Sequence, residues 1–126
     1  MIMKIKKLLD QKGHEVYSVS PDTTVYDALK LMAEKEIGAL VVVEKEKMVG
    51  IVSERDYARK IILKGKSSKE TVVGEIMTAE VIHTSPDQKV RQCLSLMTKH
   101  HFRHIPVLED ERLIGILSIE DIRRVT

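Results

Sequence analysis

The chain has 126 residues, 43% hydrophobic and 32% charged, with a net charge of +2. That is the make-up of a globular protein able to bury a core without disulfide or metal, and the near-balanced charge makes no electrostatic case for nucleic acid. One cysteine, Cys93, excludes an intrachain disulfide and a multi-cysteine zinc site. No segment approaches the ~20 apolar residues of a membrane span, and Met1 to Leu9 lacks the apolar run of a signal peptide. A cytoplasmic protein with no membrane partner is therefore expected. With one Phe, three Tyr and no Trp, its core must be aliphatic.

In chain order, Ile5, Leu8 and Leu9 fall on one side of a short amphipathic helix that Gly13 ends as a C-cap. Val16-Tyr17-Ser18-Val19 is extended, and Ser20-Pro21-Asp22 is a turn. Val25, Ala28, Leu29 and Met32 have the spacing of one apolar helix face. The β-branched run Ala39-Leu40-Val41-Val42-Val43 predicts a buried strand. A charged tip, Glu44–Lys47, joins it to a second strand, Met48–Val52, as a hairpin. A helix starts at Ser53. Lys64–Thr78 is a polar linker whose end, Val72–Met77, predicts a helical turn or two.

The same pattern then returns 65 residues later. Ser85-Pro86-Asp87 repeats the turn, Gly115-Ile116-Leu117-Ser118 repeats Gly50-Ile51-Val52-Ser53, and Asp121 repeats Asp56. Val81-Ile82-His83 takes the place of the first extended segment. Val90, Cys93, Leu94 and Met97 take the helix face. Val16–Arg59 aligns with Val81–Arg124 without a gap, and about a third of the positions are identical. The predicted class is α+β, with tandem β-α-β-β-α units: an N-terminal helix and lead-in at 1–15, a first repeat at 16–63, a linker at 64–78 and a second repeat at 79–126.

Two sets of residues carry chemistry. Ser53-x-x-Asp56 and Ser118-x-x-Asp121 match a helix capping box, which is reason enough for those residue types. The same geometry suits a ligand: free N–H groups at a helix start favour phosphate, and a fixed carboxylate accepts both hydroxyls of a ribose. Arg55, Arg59 and Lys60 oppose the helix dipole there, a cost that an arriving anion would relieve; a plain solvated face is the competing reading. Arg103 and His104 stand at the mouth of strand Ile105–Leu108, as two cations able to meet a phosphate. His100 and His101 read as a solvated helix end, and no metal site is expected. Cys93 reads as core, and no catalytic apparatus is visible.

The doubled Gly-h-h-Ser-x-x-Asp ending, the strand pair before it, Glu75-Ile76-Met77-Thr78 and Arg103-His104-Ile105-Pro106-Val107 together resemble the cystathionine-β-synthase (CBS) domain pair, or Bateman module. The resemblance covers about residues 16–125, and Ser53 to Lys60 is similar to the small stand-alone members. It implies a pseudo-two-fold module that binds adenine-containing ligands (AMP, ADP, ATP, NAD) in clefts between the copies and regulates a partner protein. It implies no required cofactor, no enzymatic activity, and a homodimer.

Carried over by residue, Asp56 and Asp121 would hold ribose hydroxyls, and Ser53 and Ser118 would face ribose or phosphate. Ser20 with Val25, and Ser85 with Val90, would flank the base. Ile37, Gly38, Ala39, Phe102, Arg103 and His104 would line the clefts. Arg55 is replaced by Glu120 in the second copy. The expectation is an Asp56 site rich in cations, from Arg55, Arg103 and His104, and an Asp121 site facing none. The rival reading is a ligand-independent interaction scaffold with vestigial clefts.

Overall fold

The computed structural model describes residues 2–126. Helix α1 (Ile5–Lys12) ends at Gly13 and buries Ile5, Leu8 and Leu9, as their spacing requires. Strand β1 is short (Ser18–Val19), and helix α2 runs Val25–Lys35 from a Thr24 cap whose hydroxyl accepts the Asp27 N–H. Strands β2 (Ala39–Glu44) and β3 (Lys47–Ser53) form the first hairpin. Helix α3 (Glu54–Tyr57) continues as a π-helical turn over Ala58–Ile62, and a 3-10 turn covers Val73–Glu75. Helix α4 (Val90–His100), strands β4 (His104–Glu109) and β5 (Arg112–Ser118) and helix α5 (Ile119–Arg123) complete the chain.

The 65-residue repeat is obeyed to the level of strand register. Ala39 faces Ser53 and Leu40 faces Val52 in β2–β3, and His104 faces Ser118 and Ile105 faces Leu117 in β4–β5. Both hairpins carry the same irregularity, between Val42 and Val43 and between Val107 and Leu108. Both turn through two residues of positive φ, Lys45-Glu46 and Asp110-Glu111, the backbone of a type I′ hairpin. One expected segment differs. Val81-Ile82-His83 is not a strand; only Thr84 bridges Val107, where Val19 pairs with Val42 in the first copy.

The chain divides into two units that cross the order of the repeats. Tyr17–Val81 forms one, and Ile82–Thr126 forms the other together with the chain up to Val16. Each unit is thus a repeat body joined by a leader from elsewhere in the chain: residues 71–78 serve the first body, and residues 3–13 serve the second.

The two leaders dock through the same backbone bonds. The Val25 N–H donates to Thr71 O (2.8 Å) and the Val90 N–H to Met3 O (2.9 Å). The Val73 N–H donates to Thr23 O (2.8 Å) and the Ile5 N–H to Gln88 O (2.8 Å); Gly74 to Pro21 (2.9 Å) is matched by Lys6 to Pro86 (3.0 Å). The leaders therefore repeat at an offset of 68, three residues out of step with the bodies. Their side chains at these positions, Met-Lys-Ile-Lys and Thr-Val-Val-Gly, agree only in the buried β-branched pair Ile5 and Val73.

Each unit has its own aliphatic core. In one, Val25, Ala28, Met32, Leu40, Val42, Val52 and Ile61 pack with the leader's Val73 and Ile76. In the other, Val90, Met97, Ile105, Val107, Leu117 and Ile122 pack with Ile5, Leu8 and Leu9. Those three leader side chains stabilise α1 docking by about 1.5–3 kcal/mol each, which outweighs any single surface ion pair. Close approach of the leaders also explains two glycines. A Cβ at Gly50 would lie 2.6 Å from Met77 Sδ and 3.0 Å from Thr78 O, and one at Gly115 would collide with Leu9. Gly115→Ala is expected to destabilise the protein by about 1–3 kcal/mol through this overpacking, read as a lowered midpoint in denaturant. An unchanged midpoint would show that Leu9 yields freely.

Candidate functional site

Both Ser-x-x-Asp motifs fold as capping boxes at the junction of a strand and a helix. The Ser53 N–H donates to Asp56 Oδ2 (2.9 Å), and the Asp56 N–H to Ser53 Oγ (3.3 Å). The Ser118 N–H donates to Asp121 Oδ2 (2.8 Å), and the Asp121 N–H to Ser118 Oγ (3.1 Å). The first helical N–H of each, on Glu54 and Ile119, is taken by the carbonyl of Gly38 (3.0 Å) and of Arg103 (2.8 Å). So the free N–H groups expected to favour phosphate are partly consumed within the fold. What each motif offers is a fixed carboxylate with side-chain exposure of only 15% at Asp56 and 12% at Asp121.

Each carboxylate also meets a lysine. Lys60 Nζ lies 3.2 Å from Asp56 Oδ1 and donates to Ile76 O (2.8 Å). Lys12 Nζ lies 2.7 Å from Asp121 Oδ2 and donates to Ile116 O (2.6 Å). Lys60 sits one turn along the same helical segment, whereas Lys12 arrives from α1. At the position repeating Lys60 the chain has Val125. Burial works to raise the Asp121 pKa, but Lys12 and the Ser118 N–H outweigh it and hold the carboxyl below its ordinary value.

This corrects part of the charge contrast expected from the sequence. The Asp121 site was to face no cation, yet Lys12 is bonded to it. Glu120 was to be an uncompensated acid, yet Arg103 is ion-paired with it in the same unit. His104 was to be a second cation. Burial, the largest influence on it, lowers its pKa, so the ring is neutral at neutral pH; Glu120 and Asp121 push the other way, while Lys12 and Arg103 add to the lowering.

The remaining candidates separate by unit. Ser20, Ile37, Gly38, Ala39, Ser53, Arg55 and Asp56 belong to the first, and Ser85, Phe102, Arg103, His104, Ser118 and Asp121 to the second. Ser20 is exposed, its N–H donating to Thr23 Oγ1 (3.2 Å). Phe102 packs on the core beside His100. Val25 and Val90, expected to flank the base, are 1% and 2% exposed and lie in the cores. Cys93 is core as expected, with burial raising its thiol to about 11. Lys12 was missed; nothing in the sequence near Gly13 relates it to Asp121.

Against protein families, residues 12–63 and 73–126 each match the CBS domain. The chain belongs to the CBS-domain family. A mitochondrial CBS domain-containing protein of Arabidopsis thaliana, CBSX3, is 51% identical over 108 residues, 82% of this chain, and the chain spans 52% of that relative's length. Among solved structures, a protein with CBS domains from Burkholderia ambifaria is 48% identical with a TM-score of 0.95, covering 98% of this chain and 93% of that one. The CBS domain pair of protein MJ0100, solved with 5′-methylthioadenosine and S-adenosyl-L-methionine, is 28% identical with a TM-score of 0.88, covering 99% of this CBS pair and 96% of that chain. No helix among the described residues is long and apolar enough to cross a membrane.

The neutral, half-buried His104 has a consequence for pH. Its folded pKa lies below the unfolded 6.5, so the unfolded state takes up the proton first. Its contribution is present above the unfolded pKa and is lost as pH falls below it. The drop in melting temperature from pH 7.5 to 5.5 should be smaller in His104→Gln than in the unsubstituted protein. Equal drops would contradict the assignment. His14, whose pKa is raised by its bonds to Asp10 and Ile114 O, is common to both proteins and cancels.

Proposed function

We propose that this CBS pair is a regulatory sensor, binding an adenine nucleotide at Asp56 and at Asp121 and relaying its presence to a partner protein. The observation that carries the reading is the duplicated carboxylate. Each is held in one orientation by its own cap, mostly buried, and accompanied by an ammonium group. A carboxylate so fixed accepts two vicinal hydroxyls of a ribose, and a lysine beside it suits a phosphate. The MJ0100 pair, which shares the fold, was solved with two adenosine derivatives, which favours the adenosine class here. AMP, ADP, ATP and NAD are the candidates.

Binding without turnover is part of the proposal. So is a homodimer, for which exposed Ile62 and Leu63 offer apolar surface. The expected cytoplasmic location also stays within it, since the single buried thiol suits a reducing compartment.

The test is a thermal melt against a nucleotide panel. A ligand at 100 times its Kd adds ~2.7 kcal/mol of stability, a rise of several degrees for a chain of this size. Asp56→Asn and Asp121→Asn keep an oxygen for the cap but lose the charge and the second acceptor. Each should remove part of the shift, and the double variant all of it. The rival scaffold reading draws on one observation: Lys12 and Lys60 already neutralise the two carboxylates within the chain. No shift with any nucleotide would establish the scaffold instead.

A further inference from the structure

Lys12 reaches the second site from helix α1, outside the strand and the helix that form the junction. Its ammonium lies on Asp121 Oδ2, the oxygen that also accepts the Ser118 N–H. The other oxygen, Oδ1, has Arg124 at 3.8 Å, beyond hydrogen-bond distance. A vicinal diol that approaches both oxygens therefore meets Lys12 as a competing donor. To make room, the ammonium must leave an ionised carboxylate that its own charge helps keep ionised.

Where it goes depends on what the ligand carries. The Ile116 carbonyl holds one of its three N–H groups and is itself uncharged. Glu120 is engaged by Arg103, and His104 is neutral. A ligand bearing an anionic group beside the diol supplies the missing counter-charge; an uncharged nucleoside supplies none. Helix α1 does not have to leave with the lysine. Ile5, Leu8 and Leu9 are at most 5% exposed and hold the helix, while Lys12 is in its last turn on a flexible stem.

A second observation points the same way. The first site has its own lysine on the equivalent aspartate, drawn from a different element and a position that does not repeat. Two unrelated parts of the chain deliver the same cation to the same carboxylate.

We infer that Lys12 is a specificity-determining residue of the Asp121 site, selecting ligands in which a ribose diol is accompanied by a phosphate over uncharged nucleosides. The inference rests on the nucleotide reading proposed above. It is tested by calorimetric titration of AMP and of adenosine into Asp56→Asn, which leaves the Asp121 site, and into Asp56→Asn with Lys12→Met, which keeps the stem and removes the charge. The expected result is that AMP binds Asp56→Asn more tightly than adenosine, and that Lys12→Met lowers the AMP-to-adenosine affinity ratio about tenfold or more. Lys12→Arg should preserve the ratio. Lys12→Gln replaces the Met variant if that one does not fold.

Binding with a ratio unmoved by Lys12→Met overturns the inference and leaves the nucleotide reading standing. Binding to the unsubstituted protein but not to Asp56→Asn also overturns it, because the Asp121 site is then not a ligand site. No binding of either compound to the unsubstituted protein overturns both.

Discussion

The docking of a leader onto the first turn of a helix is the interaction on which the rest of each unit depends. A helix start has N–H groups without intrahelical partners. At Val25 and Val90 one of these is taken by a leader carbonyl, from Thr71 and Met3. That bond fixes where the leader lies, and the next leader residues close on the turn at Pro21 or Pro86. From there the leader passes over the middle of a strand, where only glycine leaves room, at Gly50 and Gly115. It then brings Ile76 or Ile5, Leu8 and Leu9 into the core. Backbone satisfaction, close approach and apolar burial all follow from one placement.

The aspartates use a related economy. One oxygen of each closes a cap, a bond worth about 1 kcal/mol in itself. That bond also removes the rotational freedom of the carboxylate, so the site costs little further ordering when a ligand binds. The partner strand is tied to the same junction, with the Gly38 and Arg103 carbonyls at its start accepting the first helical N–H. The candidate site is therefore part of the scaffold and does not hang from a loop. Its lysines differ in origin, and this is where two copies of one design acquire separate properties.

Much of this was legible in the sequence because it is local. Helix faces at i, i+3, i+4 spacing, the β-branched run of β2, the capping boxes and the 65-residue repeat all came through, down to matching register in both hairpins. The misreadings were not local. Arg103 and Glu120 are 17 residues apart and ion-paired. His104 has the residue type of a cation but is half-buried, and that desolvation keeps it neutral. Val25 and Val90 have the spacing of a core face and are core.

The sequence by itself determined the duplication, the class of most elements and the two capped carboxylates, the elements and caps because each is written in residues within a few positions of one another. The tertiary structure alone decided which leader serves which body, that the leaders repeat three residues out of step, and that Lys12 reaches Asp121 across 109 residues of chain. The physical reason is that leader docking runs largely through backbone N–H and C=O groups, which every residue type carries, and asks of the side chains only a buried aliphatic at two matched positions, Ile5 with Val73 and Leu8 with Ile76. The lysine follows from that docking: once α1 lies against β5, the last turn of the helix ends beside the carboxylate, and Asp121 gains a cation that the sequence did not foresee.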